Sequence, residues 1–336
     1  MLHRASRAGA VAKGTDLPFG IDSANDIAGA PGQCTHTMPG QFSIRPRKVR
    51  PFLTASCEIA VVPPTARVVL NVRRVIGRTT VVGVRQAQLA TLEPWVPVVW
   101  YVPGGDDRRT HGIDDADRAA VERVSSVQQP VVVVSASAGI ADNLVAFGAE
   151  WVRQRMLERD LVEALSRARA TSALAAISRT IDTNSTIPAK LRRALVYATI
   201  PHASIQSFGT SRLGSVERLA RYVECDRSTL TAQWRSAWSR AFAESAPESV
   251  DPDLRLEDFV HWPLLIRAVV RKTGRQSWAR IATRFGMHED TLRRASKRLT
   301  GRSLAQLAGD GPLSLCGEFF DRVIEPLLAS VAEGVR

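Results

Sequence analysis

Two β-branched runs, Val96-Pro-Val-Val-Trp-Tyr-Val102 and Pro130-Val-Val-Val-Val134, constrain this chain more than any other feature. A strand with water on one face alternates apolar and polar side chains. A run that is apolar at nearly every position has to be covered on both faces, as in a parallel sheet flanked by helices. Ala60-Val-Val, Ala66-Arg-Val-Val-Leu-Asn-Val72 and Thr79-Thr-Val-Val-Gly-Val84 are runs of the same kind. Helically spaced segments at Gln86 to Leu92, Asp114 to Val127 and Ala141 to Ala149 lie between and after them. The five runs are expected as strands, and their alternation with helices predicts an α/β domain with a parallel sheet over residues 56–155.

Residues 1–55 are rich in Gly, Pro, Ser and Thr and lack periodicity, so they are read as a poorly ordered leader. Its basic stretch Arg45-Pro-Arg-Lys-Val-Arg50 is taken as a solvated tail. Beyond the sheet, Trp151, Val152, Met156, Leu161, Leu165 and Ala168 recur every three or four positions, which predicts a helix from 151 to about 180. Residues 156–187 are assigned as a helical linker that packs on the α/β domain or lines a dimer seam. Residues 188–308 read as an all-α domain. In 309–336, Glu318 to Ala332 forms an amphipathic helix through Phe319, Phe320, Val323, Ile324, Leu327 and Leu328, and either packing back or joining subunits fits it.

Charge narrows the function. Forty-five Lys and Arg against 33 Asp and Glu leave +12, which points to a polyanionic partner. The surplus is sorted along the chain: residues 261–303 carry eleven basic against two acidic residues and 188–243 nine against three, whereas 244–260 carry one against six. Cys34, Cys57, Cys225 and Cys316 form no zinc spacing and no dense disulfide framework, and they suit a reducing cytoplasm. No apolar stretch reaches membrane-spanning length, so no membrane partner is expected. Nucleophile-elbow, phosphate-loop and zinc-helix motifs are missing, so no enzyme, cofactor or metal is expected. Apart from Asp106 and Asp107 the Val-rich strands offer almost no acidic residues, whereas a mobile-element recombinase or transposase needs strand-end carboxylates for two divalent cations.

Ser277 to Arg298 has the arrangement of a helix-turn-helix. Ile281, Phe285, Met287, Leu292 and Ala295 supply the buried positions, Ala282 is small where two helices cross, and Gly286 stands where the turn needs a positive φ. The second helix begins near Glu289 or Asp290 and exposes Arg293, Arg294 and Lys297, residue types that bond guanine edges and phosphates. Arg293 is the first choice for a base contact; Arg284 and Arg298 are assigned to phosphates, and His288 lies at the turn within reach of one. Val216 to Arg235 repeats the pattern 62 residues upstream, with Glu224 in place of the glycine and Gln233 in place of Ala295. Its exposed candidates are Arg227, Ser228, Thr231 and Arg235. A glutamate at positive φ is strained, so a different turn geometry is expected there.

Two such motifs, the helical stretch His261 to Lys272 between them and Leu299-Thr-Gly-Arg-Ser-Leu-Ala-Gln-Leu307 after the second resemble the AraC/XylS family of bacterial transcription regulators over residues 188–308. The resemblance implies a seven-helix DNA-binding domain whose recognition helices enter successive major-groove segments. The partners it implies are double-stranded DNA, a second copy of the chain in a homodimer, and RNA polymerase. Pro130 to Val152 is similar to the closing part of a response-regulator receiver domain, with Ser135 ending a strand and Gly148-Ala149 preceding the last one. Trp100 and Tyr101 stand where a receiver's phospho-accepting Asp belongs, which implies a degenerate domain serving regulation or dimerisation. The expectation is a cytoplasmic, sequence-specific DNA-binding transcription regulator. The alternatives are a recombinase-type or nucleoid-like DNA-binding protein.

Overall fold

Four of the five Val-rich runs supply strands of one five-stranded sheet, and Glu150–Arg153 adds the fifth. β1 (Glu58–Val62), β2 (Thr80–Gly83), β3 (Val98–Val102), β4 (Val131–Ser135) and β5 (Glu150–Arg153) lie in the order β2-β1-β3-β4-β5, and every neighbouring pair is parallel. The computed structural model describes residues 50–53, 58–77, 79–102, 129–136, 149–200, 215–245, 251–272 and 276–329. The predicted helix at 114–127, all but the last residue of the one at 141–149, and the pair Asp106 and Asp107 lie outside these residues. Successive valines point to opposite faces, so Val61, Val99, Val132 and Val134 enter one apolar cluster while Val62, Val98, Val131 and Val133 enter another. Both clusters are dry, which is what unbroken apolar strands require. The order reverses between β1 and β3, as in flavodoxin-type doubly wound sheets.

Ala66 to Val72, expected as a strand, is instead part of helix α2 (Ala66–Ile76), which follows a one-turn helix α1 (Arg50–Leu53). The burial pattern explains the difference. Val68 and Val72, four apart, face the sheet, while Leu70 between them is 60% exposed and Arg67, Asn71, Arg73 and Arg74 lie on the water side. Strand spacing would have placed Val68, Leu70 and Val72 on one face. A second difference concerns Trp151 and Val152, which form edge strand β5 rather than the start of a helix. Val152 enters the core, and the Trp151 indole Nε1 donates to Ser135 Oγ at 2.9 Å across the β4–β5 pair. Residues 50–53 also depart from a structureless leader: α1 packs on later helices, and Arg50 is bonded at 2.8 Å to Glu325 instead of standing as a solvated tail.

Helix α3 (Leu157–Asp182) joins the sheet to the helical region. Its first half lays Leu157, Leu161, Ala164, Leu165 and Ala168 on the sheet beside α2, and Arg167 bonds Glu150 of β5 at 2.9 Å. Its second half carries Leu174, Ile177 and Ile181 into a separate core, against α4 (Ala189–Thr199). That core is organised around α7 (Leu256–Arg271), which α5 (Val216–Tyr222), α6 (Arg227–Ser245), α8 (Trp278–Arg284) and α9 (Glu289–Thr300) surround. Trp234, Phe259, Trp262 and Phe319 stack or meet edge-on at its centre, with ring centroids 5.4–5.7 Å apart.

After α10 (Leu304–Asp310) the chain runs back through α11 (Pro312–Phe319), a π-helical turn at Phe320–Ile324, and α12 (Glu325–Ala329). The π turn precedes Pro326, which has no N–H to offer the preceding turn and crowds its carbonyl. Phe319, Phe320, Val323, Ile324, Leu327 and Leu328 are all buried, so this segment packs back on its own chain, and it begins at Pro312 rather than Glu318.

Among the described residues Cys225 and Cys316 are free, and burial pushes the Cys316 thiol up, leaving it inert. No described helix is long and apolar enough to cross a membrane.

The helical assignment of α2 predicts unequal effects from neighbouring apolar residues. Val72→Ala should lower stability by about 1–3 kcal/mol, whereas Leu70→Gln should change it by less than about 0.5 kcal/mol. Denaturant midpoints measure both, and a comparable loss from Leu70→Gln would contradict the helix.

Candidate nucleic-acid interface

The sequence repeat corresponds to two helix pairs of one geometry, α5–α6 and α8–α9. Each first helix starts on a serine cap: Ser215 Oγ accepts the Arg218 N–H at 3.3 Å and Ser277 Oγ accepts the Arg280 N–H at 3.2 Å. Each ends in the same turn bond, with Cys225 N–H donating to the Ala220 carbonyl at 3.0 Å and Met287 N–H to the Ala282 carbonyl at 3.1 Å. Both turns pass through the left-handed region, at φ 68° for Gly286 and φ 52° for Glu224. Glu224 therefore does not force a different turn. Packing over-determines it, because Val223 and Leu219 are buried beside it, Lys190 Nζ donates to the Glu224 carbonyl at 3.0 Å, and Tyr222 stacks on Tyr197 with centroids 4.0 Å apart.

The inner faces are apolar as predicted. Ile281, Ala282, Phe285, Leu292 and Ala295 are buried, with Met287 half-buried against the same core. Leu219, Ala220, Val223 and Leu230 do the same in the first pair, with Cys225 half-buried. Gln233, at the position of Ala295, keeps a buried side-chain oxygen with no hydrogen-bond partner.

The outer faces divide the predicted site residues into two groups. Arg284, Arg294 and Lys297 are exposed, and among the described residues none has a carboxylate partner. The Arg294 and Lys297 side chains reach only the carbonyls of Asp290 and Gly301, at 3.3 Å each. Arg235 and Ser228 are exposed on α6, and Thr231 is half-buried. Arg293, Arg298 and Arg227 are held by carboxylates. Arg293 Nε donates to Glu289 at 2.9 Å along one helix turn. Arg298 pairs with Asp258, whose side chain is 8% exposed and whose Oδ2 also accepts the Arg255 N–H at the start of α7. Arg227 bridges Glu217 of α5 at 2.5 Å and Glu257 of α7 at 2.7 Å. His288 caps α9, its Nδ1 accepting the Asp290 N–H at 3.3 Å, so it serves the helix start.

Three features escape the sequence reading. Arg280, exposed on α8 one turn before Arg284, adds a cation to the same outer face; its i, i+4 relation to Arg284 was the available signal. Asp258 and Glu257 anchor arginines from both helix pairs at the first turn of α7, a proximity that no local pattern reveals. Arg267 is 9% exposed and donates to the Ala198 and Ile200 carbonyls at 2.7 Å each, closing the end of α4. Burial and neighbouring Arg271 push its guanidinium down to about 10, which still leaves it charged at neutral pH.

No family model, curated protein or solved structure matches this chain. The interface is therefore read from its own geometry, in which the second pair presents Arg280, Arg284, Arg294 and Lys297 to solvent around two helices fixed by a buried seam. Such a surface suits a polyanion, since exposed guanidinium and ammonium groups lose little hydration on meeting phosphates and release condensed counterions.

The shared turn geometry predicts opposite effects at its two key residues. Glu224→Gly removes left-handed strain of about 1–2 kcal/mol at a cost in chain entropy, for a net gain of up to about 1 kcal/mol. Gly286→Ala introduces the strain and should lose about 1–2 kcal/mol. Thermal unfolding checks both, and a loss of stability from Glu224→Gly would contradict the shared turn.

Proposed function

We propose that this chain is a sequence-specific, double-stranded-DNA-binding transcription regulator of AraC-like type, in which α8–α9 acts as a helix-turn-helix with α9 as its recognition helix in the major groove. The observation that carries the reading is the α8–α9 pair itself. A small-residue crossing at Ala282, a left-handed glycine turn and a largely buried seam hold α9 with Arg294 and Lys297 outward and Arg280 and Arg284 behind them. Arg294 and Lys297 are assigned to base edges and adjacent phosphates; Arg284 and Arg280 are assigned to phosphates. Arg293 reads bases with Glu289 steadying its guanidinium. Repetition of the same turn 62 residues earlier, with α7 between the pairs, favours a two-unit domain over an isolated basic hairpin.

The N-terminal sheet fits a receiver-like domain used for regulation or dimerisation rather than phosphorylation. Its strand order is that of a doubly wound sheet, and β1 is followed by Pro63-Pro64 where a working receiver places acidic residues. A second copy of the chain and RNA polymerase are the protein partners this reading brings.

Selection from genomic fragments with the purified protein at near-physiological salt tests the proposal. A shared motif is expected, with Arg293→Ala and Arg294→Ala relaxing preference at one or two base pairs by about 1–3 kcal/mol. Arg284→Ala should weaken all sequences alike and lower the slope of log affinity against log salt by about 1. Arg298→Ala should mainly destabilise the fold, by about 1–3 kcal/mol, because it leaves Asp258 buried without its partner. Capture of every fragment alike would favour a nucleoid-like or recombinase-type binder, and no capture would refute the DNA reading.

A further inference from the structure

The two helix pairs share a backbone but not a surface. Positions 62 residues apart occupy equivalent places, so the charges at the reading ends compare one to one. Where the second pair has Ala279, Gly286 and His288, the first has Glu217, Glu224 and Asp226; where the second has Arg284, Arg293 and Arg294, the first has Tyr222, Thr231 and Ala232. Arg227, at the start of α6, is left facing this acidic surface. Its two terminal nitrogens are divided between Glu217 at 2.5 Å and Glu257 at 2.7 Å, while Glu224 and Asp226 stand exposed one turn away. Arg218 matches Arg280 and Arg221 lies beside it on α5, so the first pair keeps cations of its own, but Arg227 is itself shared between two carboxylates. The equivalent end of the second pair has Glu289 and Asp290 against Arg280, Arg284, Arg293 and Arg294.

We infer that Glu217 and Glu257 form a carboxylate clamp that withholds Arg227 from DNA, so that the second helix pair supplies the phosphate contacts and the first contributes none through α6's N-terminus. The inference rests on the DNA-binding reading and adds to it a limit on affinity built into the first pair. A single exposed ion pair is weak and would yield its arginine to a phosphate. Two carboxylates on one arginine change the balance, because a phosphate that displaced them would sit against two uncompensated negative charges, with Glu224 and Asp226 beside them. Glu257 belongs to α7, so the clamp also fixes α6's N-terminus to the helix that Arg298 grips through Asp258. The unclamped arginine would face outward at the start of α6, where a duplex backbone passes in a paired-reader geometry.

Affinity of the full chain for a duplex fragment, measured across a salt series, tests the clamp. Glu217→Gln with Glu257→Gln keeps the size of both side chains, and both carboxylates are partly exposed, so the fold should persist. This double variant should bind severalfold tighter and steepen the slope of log affinity against log salt by about 0.9, the signature of one added phosphate contact. Adding Arg227→Gln to it should return the slope to the wild-type value. An unchanged slope in the double variant would overturn the clamp. A steepened slope that survives Arg227→Gln would overturn it too, since the gain would then come from lost repulsion alone. Arg284→Ala, run alongside, should flatten the slope by about 0.9 whatever the clamp does. If Arg284→Ala flattens it and the double variant behaves as wild type, the clamp falls and the DNA reading stands; if no variant binds DNA, both fall. Should the double variant fail to fold, Glu257→Gln alone carries the same expectation and the same refutation.

Discussion

The burial of α3 along its whole length is the constraint on which the rest of the structure depends. A helix that covers one sheet needs one apolar stripe. α3 has that stripe at Leu157, Leu161, Ala164, Leu165 and Ala168, and then becomes buried around most of its circumference from Ala170 to Ile181, Ser172, Ser178 and Thr180 included. The change follows its neighbours: one side is enough against β4 and β5, but farther on α4, α7 and α11 approach from different directions. Alanines at 164, 168, 170, 173, 175 and 176 keep the helix thin enough for those neighbours to come close. The sheet and the helical core are therefore not beads on a flexible string, because a single rigid helix is part of both cores. Val162, 56% exposed, is the one large apolar side chain of α3 that remains largely in water among the described residues.

The helical core depends in turn on α7, which is buried along most of its length. Its acidic residues stand in the first turn, and each is used: Asp258 caps the helix and holds Arg298, and Glu257 holds Arg227. The acidic stretch before α7 is tied down by the core itself, since the indole nitrogens of Trp234 and Trp238 donate to the Leu254 and Asp251 carbonyls at 2.8 and 3.1 Å. These tryptophans satisfy buried backbone groups as well as filling space. The acidic segment between two basic ones thus has a structural consequence: it divides the arginines of the helix pairs into those held by carboxylates and those left to solvent.

How much was legible in the sequence depended on the range of the interaction. The sheet could be read from its valines because burial on both faces is a property of each strand alone. The seam of α8–α9 could be read because its spacing is fixed by helix geometry and by one glycine. Ala66 to Val72 departs from its strand-like content because Val68, Leu70 and Val72 fit either spacing, and only Val75 and Ile76 beyond them extend the helical one. The reading also failed at Glu224, where a local penalty of about 1–2 kcal/mol was outweighed by the packing around it. Propensity is a weak prior, and a few buried contacts override it.

The sequence by itself determined the parallel α/β sheet, the helical second half, the repeated helix pair and the sorting of charge along the chain, since each is written in short-range periodicity or composition. Tertiary structure alone decided which arginines are available. Arg294 and Lys297 on one side, and Arg298 and Arg227 on the other, are the same kinds of residue in similar local settings. They differ in whether a carboxylate approaches, and for Arg298 and Arg227 that carboxylate comes from the first turn of α7. An ion pair is decided by a few ångströms between side chains that the chain brings together only when the core closes, so no reading of neighbours along the sequence could have assigned it.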